Sequence, residues 1–151
     1  MSSNKLSHTV WECKYHIVIV PKYRRKIIYG KLRKEIGIIL RKLCEYKGIE
    51  IIEAKACIDH IHMCISIPPK YAVSYILGYL KGKSAIMIFE RFSNLTQNFK
   101  GNSFWTRGYY VSSVGLDEAK IKNYIKNQEI HDQAEDRYQA KDIGDPFQGC
   151  Q

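Results

Sequence analysis

Four segments of this chain have the hydrophobic pattern and composition of β-strands. Each is rich in β-branched, aliphatic or aromatic residues, and prolines end two of them, at Pro21 and at Pro68. The second and third segments follow each other closely enough in the sequence to form a hairpin. The predicted strands span residues 10–20, 49–56, 58–67 and 109–114.

Between these strands, apolar residues recur every three or four positions, which predicts amphipathic helices over residues 32–48 and 73–88. Asp117 is a suitable N-cap for a last helix that ends near Ile130. The order βαββαβ is that of the ferredoxin-like fold. We therefore predict an α+β protein whose antiparallel sheet carries helices on one face, with an additional C-terminal helix.

Alternation within the third strand separates an apolar face from a polar face, because successive side chains of a strand point in opposite directions. The even positions include His60 and His62, which are about 6.6 Å apart along one face. Two imidazoles at this spacing can bind one metal ion if a third ligand comes from elsewhere. Alternatively, both histidines lie at the sheet edge and face solvent. The odd positions, all apolar, are predicted to face the core: Ile61, Met63, Ile65 and Ile67.

The last helix has a stripe of four residues at helical spacing, Ile121, Tyr124, Ile125 and Gln128. Two of the four are polar, and they lie one turn apart. One interpretation is a tyrosine at the boundary of the core and a glutamine near a fraying helix end. The other makes Gln128 a carbonyl ligand and Tyr124 a nucleophile, since a metal or a neighbouring base can activate a phenol whose ordinary pKa is about 10.

The chain has 151 residues, a formal net charge of +9 and a pI near 9.3. One domain of this size with this charge favours a polyanionic partner, and nucleic acid fits better than a membrane. No apolar run approaches a membrane span, and the N-terminus lacks a signal-peptide core. The five cysteines are scattered without a CxxC pair, which indicates a reducing, cytoplasmic environment.

The positive charge is unevenly distributed. Residues 14–48 contain eleven Lys and Arg residues against two acids, a balance of +9. From Asp132 onward, five acids face two basic residues, a balance of −3, and no periodicity is sustained. We therefore expect a single folded domain over residues 1–131 and an acidic, mobile tail over residues 132–151.

Five blocks of the sequence recur together and in this order in one family of enzymes: residues 15–24, 59–62, 79–84, 104–111 and 124–128. A lone His-x-His motif is weak evidence, whereas five blocks in register are strong evidence. With these blocks the chain closely resembles the single-tyrosine HUH transposases of the smallest bacterial and archaeal insertion sequences, the IS200/IS605-like group. The similarity covers about residues 8–131.

The resemblance implies an enzyme that cleaves and rejoins single-stranded DNA with Mg²⁺ or Mn²⁺. His60, His62 and Gln128 match the metal ligands of the family, and Tyr124 matches the nucleophile, which forms a 5′-phosphotyrosine link. The family forms homodimers, can complete the site in trans with the tyrosine helix, and recognises hairpins near the ends of the element. The residues alone leave the metal open, because two imidazoles also suit zinc. Asp59 lies on the opposite strand parity from the histidines and is expected either to begin the strand or to support the site, rather than to bind the ion.

Basic residues that could contact DNA are harder to assign. Four cations surround Tyr23 just after the first strand, and such a cluster can hold phosphates while an aromatic ring stacks on a base. The alternative is a solvated loop that only aids solubility. The candidates are Lys22, Tyr23, Arg24, Arg25, Lys26, Lys81, Lys83 and Arg107.

Two other functions are compatible with this sequence. A domesticated relative would use the same chemistry to process chromosomal hairpins. A noncatalytic ferredoxin-like module that binds RNA or DNA would need the basic surface, but not His60, His62, Tyr124 and Gln128 together.

Overall fold

The computed structural model describes residues 4–6, 9–11, 13–99, 103–113 and 118–143, with side chains over residues 13–95, 99, 103–113 and 119–134. The strands are β1 (Asn4–Leu6), β2 (Thr9–Trp11), β3 (Lys14–Ile19), β4 (Glu50–Cys57), β5 (His60–Ser66) and β6 (Tyr110–Ser112). The helices are α1 (Gly30–Tyr46), α2 (Val73–Arg91) and α3 (Glu118–Ile143). Two 3-10 turns span Lys22–Arg24 and Ser93–Asn98.

Four of the strands form an antiparallel sheet in the order β4-β5-β3-β6. This order and the two intervening helices confirm the predicted ferredoxin-like α+β fold. The single strand expected over residues 10–20 is two strands, because β2 pairs with β1 in a separate hairpin and β3 alone enters the main sheet. The fourth strand is shorter than expected, and Val114 lies outside the described residues.

Helices α1 and α2 cover one face of the sheet and form the main core. Ile36 and Ile39 of α1 and Leu77 of α2 are fully buried in one cluster with Ile17 of β3. The odd positions of β5 belong to the same cluster, which confirms the predicted apolar face of this strand: Ile61, Met63, Ile65 and Ile67.

Helix α3 covers the opposite face. Its Ile121 and Ile125 pack on Val18 and Val20 of β3, and all four side chains are buried. Because Val18 pairs with His62 in the sheet, these valines share a face with the two histidines. The tyrosine helix therefore lies on the side of the sheet that carries the predicted metal ligands.

The predicted end of this helix near Ile130 is wrong. Helix α3 continues to Ile143, and Asp132 is 2% exposed. The sequence from 131 to 143 is mainly polar and has no sustained run of apolar residues at helical spacing, so hydrophobic periodicity gives no signal for it. The predicted tail boundary thus falls inside a helix, and residues 144–151 of that tail lie outside the described residues.

None of the helices within the described ranges is both long enough and apolar enough to cross a membrane.

Candidate functional site

The two histidines form the centre of the candidate site, and they share one face of β5 as predicted. The centroids of the His60 and His62 rings are 5.6 Å apart, and the ring planes are inclined by 36°. Both side chains are half-buried, so they are neither sealed in the core nor fully in solvent. Their rings line a cavity of about 310 Å³ between the sheet and α3.

Asp59 orients His60. Its Oδ1 lies 2.8 Å from Nδ1 of His60, and its Oδ2 accepts a hydrogen bond of 3.0 Å from Nε of Arg24. Burial by itself would raise the pKa of Asp59, but the hydrogen bonds to His60 and Arg24 outweigh it and the pKa lies below its ordinary value. An ionised carboxylate on Nδ1 favours the tautomer whose Nε2 lone pair can bind a metal. The expected supporting role of Asp59 agrees with these contacts.

Cys57 lies beside the histidine pair, a position that was not predicted from the sequence. Ligand atoms of Cys57, His60 and His62 all lie within 4.8 Å of one another. Cys57 is the register partner of His60 across the β4–β5 hairpin, so the two side chains share a face. The two-residue connection, Ile58 and Asp59, is the only sequence signal that could have indicated this pairing.

Two lysines also line the histidine cavity, Lys55 from β4 and Lys122 from α3. Lys55 is the register partner of His62, so its side chain starts from the same face of the sheet. The rest of the helical wall is apolar and consists of Ile121 and Ile125. Because two lysines and two imidazoles line this cavity, it suits a phosphate group better than a neutral ligand.

Tyr124 packs beside this cavity, on the side of β6. Its ring centroid is 5.9 Å from that of Tyr110. Across the sheet, Tyr110 of β6 pairs with Val18 of β3, and Val18 pairs with His62 of β5, so Val18 lies between Tyr110 and His62. The Tyr124 hydroxyl is buried and has no hydrogen-bond partner among the described residues. Burial, with a smaller contribution from the charge of Asp132, raises the pKa of Tyr124 to about 12. The phenol is therefore neutral in this arrangement.

Gln128 contacts Thr106 of the segment that precedes β6. Its Oε1 lies 2.8 Å from Oγ1 of Thr106, which in turn lies 2.7 Å from Oδ1 of Asp132. A threonine hydroxyl has one proton and can donate to only one of these oxygens. The carboxylate is the stronger acceptor. If the threonine proton goes to Asp132, the contact with Gln128 is a hydrogen bond only when the amide is turned over, so that Nε2 donates to Thr106 and the carbonyl oxygen points away.

Asp132 joins α3 to the basic turn after β3. Besides the contact with Thr106, its Oδ2 accepts a 3.0 Å hydrogen bond from the backbone N–H of Tyr23. Tyr23 and Arg24 both have positive φ, 65° and 52°, a conformation that is costly for residues with a side chain. Asp132 therefore stabilises a strained turn next to the site, although it was predicted to be the first residue of a mobile tail.

The sequence matches the family described as "Transposase IS200 like" over residues 9–128. The chain belongs to this family. It is 51% identical over 144 residues to the transposases of insertion sequence element IS200 from Salmonella typhimurium and Salmonella typhi, which covers 95% of the chain and 95% of each relative. It is 30% identical to the ISDra2 transposase of Deinococcus radiodurans, over 79% of this chain and 86% of that one.

Two solved structures share the fold of this IS200-like chain. A crystal structure described as that of a transposase from Deinococcus radiodurans superimposes with a TM-score of 0.76 at 28% identity, over 83% of this chain and 97% of that one. A REP-associated tyrosine transposase bound to a REP hairpin shares the fold, with a TM-score of 0.52 at 11% identity, over 81% and 68% of the two chains.

The basic turn of this IS200-like transposase is only partly available to a ligand. Lys22 is buried, Arg24 bonds to Asp59, and the Arg25 guanidinium lies 5.2 Å from the ring centroid of Tyr23. Lys26 is the exposed cation of the group. Three cations of this predicted DNA-binding cluster, Lys22, Arg24 and Arg25, thus also have contacts within the protein.

The other predicted DNA contacts lie on two elements. Lys83 of α2 and Arg107 before β6 are exposed. Lys81 is half-buried, and its Nζ donates to the carbonyl oxygen of Gly108. Burial lowers the pKa of Lys81 to about 8, against an opposing effect of the Asp132 charge. Lys83 and Arg107 therefore face solvent, whereas Lys81 is turned inward.

Proposed function

We propose that this IS200-like transposase cleaves and rejoins single-stranded DNA at the ends of its insertion sequence through a covalent link to Tyr124, with Mg²⁺ or Mn²⁺. The observation that carries the proposal is the packing of α3, the tyrosine helix, on the sheet face that presents His60 and His62. The proposed nucleophile and the two proposed histidine ligands thereby lie on the same side of the sheet, although they are about sixty residues apart in the sequence.

The donor atoms fit a divalent cation. Asp59 holds Nδ1 of His60, which leaves Nε2 for an ion, and His62 shares the same cavity. Gln128 is the proposed third ligand, through the carbonyl oxygen that its turned-over amide would direct away from Thr106. A divalent cation, when bound, polarises a phosphodiester oxygen and offsets the negative charge that develops on it.

In the proposed reaction, the Tyr124 oxygen attacks the scissile phosphorus. The bond from phosphorus to the 3′ oxygen breaks, the phenol proton leaves, and the departing strand ends in a 3′ hydroxyl. A 3′ hydroxyl later attacks the phosphotyrosine, which restores the phenol and rejoins DNA without another energy source. The reaction is balanced because each phosphodiester is exchanged for another.

Tyr124 needs a different environment for this step from the one described here. A neutral phenol with a pKa of about 12 is a poor nucleophile at neutral pH. We propose that α3 docks differently in the DNA complex, within the same chain or on the partner of a homodimer. Such a movement would release the buried side chains of Ile121 and Ile125 from the sheet, together with the hydrogen bonds that Gln128 and Asp132 make to Thr106.

The proposed substrate is single-stranded DNA with hairpin ends, and the proposed place of action is the cytoplasm. The net charge of +9 and the lysines that line the cavity support an anionic ligand. The related fold of a transposase bound to a REP hairpin is compatible with a hairpin substrate.

The proposal is tested by incubating the purified protein with labelled hairpin DNA from the flanks of its own gene, with and without Mg²⁺ or Mn²⁺. We expect a metal-dependent covalent adduct that is absent in Tyr124→Phe. Tyr110→Phe is the matched control, because it removes the hydroxyl of the neighbouring ring and should keep the adduct. An undiminished adduct in Tyr124→Phe would exclude this nucleophile. Hairpin binding without an adduct on any substrate would favour the noncatalytic module.

A further inference from the structure

The β4–β5 hairpin brings a thiol and an imidazole face to face. Strand β4 ends at Cys57, β5 begins at His60, and these two residues are register partners. His62 follows on the same face of β5, and both histidines and Cys57 line the cavity below α3. The hairpin alone thus supplies three potential metal ligands from six consecutive residues, without any contribution from Tyr124 or Gln128.

The distances are close to those of a metal centre. In tetrahedral zinc sites, bond lengths of about 2.3 Å to sulfur and 2.0–2.1 Å to nitrogen place neighbouring ligand atoms roughly 3.3–3.6 Å apart. The ligand atoms of Cys57, His60 and His62 lie within 4.8 Å of one another. Side-chain rotations that move the ligand atoms by about 1.5 Å or less close the difference.

The donor set determines which ions fit. Thiolate sulfur and imidazole nitrogen favour zinc and other borderline transition metals, whereas Mg²⁺ and Mn²⁺ prefer oxygen ligands. We propose that Cys57, His60 and His62 form a three-ligand site for Zn²⁺. The Cys57 thiol releases its proton to solvent as the sulfur replaces a water on the ion. The fourth position faces the cavity of about 310 Å³ and takes water or an anionic oxygen.

This site would exclude the cation of the proposed cleavage reaction, because both need His60 and His62. Zn²⁺ binds a nitrogen and sulfur site more tightly than Mn²⁺ does, so it would occupy the site at lower concentration. The inference itself depends only on the hairpin residues and not on the proposed DNA chemistry. Metal binding and DNA cleavage can therefore be tested separately.

Co²⁺ is the probe, because a thiolate ligand gives it a near-ultraviolet charge-transfer band. We expect the full-length protein to show this band and to lose it when Zn²⁺ is added. Cys57→Ser should lose the band and bind Co²⁺ roughly tenfold or more weakly. Cys64→Ser is the matched control, since Cys64 lies on the same face of β5 with its Sγ 3.8 Å from Nε2 of His16. Cys64→Ser should keep both the charge-transfer band and the affinity for Co²⁺.

A second variant guards against a folding defect in Cys57→Ser. His62→Ala should weaken Co²⁺ binding while leaving circular dichroism and thermal unfolding close to those of the wild type. A band that persists in Cys57→Ser, or one that is lost in Cys64→Ser, would overturn the assignment. So would the absence of any thiolate band in the wild type. A missing DNA adduct would instead count against the proposed function.

Discussion

The Asp59 carboxylate accepts a hydrogen bond from His60, with 2.8 Å between Oδ1 and Nδ1. The two residues are neighbours in the chain, one in the hairpin turn and the other at the first position of β5. The second carboxylate oxygen bonds to Arg24, which also lies 3.8 Å from Glu129 of α3. A chain of charged groups therefore connects α3 to the orientation of the His60 imidazole, a proposed metal ligand.

Replacement of Asp59 by Asn should weaken metal binding without unfolding the protein. The amide keeps the size of the side chain, but it is a weaker acceptor for Nδ1–H and loses the ion pair with Arg24. Loss of such an outer partner typically lowers metal affinity by about 10- to 100-fold. Calorimetric titration with Mn²⁺ measures this change. Glu129→Gln is the control, since Glu129 contacts Arg24 but not a histidine, and it should change the affinity far less.

The salt dependence of DNA binding should distinguish Lys26 from Arg24. Lys26 is exposed, whereas the Arg24 guanidinium bonds to Asp59. If Lys26 contacts a phosphate, Lys26→Gln should reduce the slope of log affinity against log salt by about 0.7 for single-stranded DNA. Arg24→Gln should leave the slope unchanged and lower metal affinity instead. Fluorescence anisotropy with a labelled hairpin at several salt concentrations gives both slopes. Equal changes in the two variants would contradict this division of roles.

The fold was largely predictable because its signals are local. Strand β5 alternates strictly, and α1 and α2 have apolar residues at helical spacing, so both the element types and the buried face of β5 follow from the pattern. The last turns of α3 could not be predicted, because the sequence of a mainly polar helix lacks hydrophobic periodicity, as the sequence of a solvated segment does. Asp132 shows the difficulty, since a buried aspartate in an acidic run looks like any exposed one.

The candidate site was predictable only where its residues belong to one element. His60 and His62 share a strand, so their common face follows from residue spacing. Cys57 lies on another strand, and its position depends on the length of a turn and the resulting register. The contacts of the basic cluster also depend on residues of other elements. Counting charges cannot reveal that Arg24 bonds to Asp59 inside the protein.

The hydroxyl of Thr106 should be important for the docking of α3. It is 1% exposed and contacts both Gln128 and Asp132. Thr106→Val keeps the shape but removes this partner, at an expected cost of about 1–3 kcal/mol in the free energy of unfolding. Thr106→Ser keeps the hydroxyl and should cost less than Thr106→Val. Urea unfolding measures the free energies, and amide hydrogen exchange should quicken in α3 of Thr106→Val. Equal destabilisation by both variants would mean that the methyl group, not the hydroxyl, matters.

Tyr124 should make the protein less stable at high pH than a variant without its hydroxyl. The pKa of Tyr124 is raised from 10.0 to about 12, mainly by burial. Between these values the unfolded chain releases the phenol proton while the folded protein keeps it, so stability falls as pH rises. Tyr124→Phe has no such proton. Its thermal unfolding temperature should therefore fall less steeply than that of the wild type above about pH 10.

Near neutral pH, the same variant should be at least as stable as the wild type, because the buried hydroxyl that it removes has no hydrogen-bond partner among the described residues. Tyr46→Phe is the control, since Tyr46 is 71% exposed and its hydroxyl can reach solvent. Its unfolding temperature should follow that of the wild type across the pH range. Parallel curves for the wild type and Tyr124→Phe would show that the phenol is not buried in the free protein. In that case α3 would already be docked differently before DNA binds.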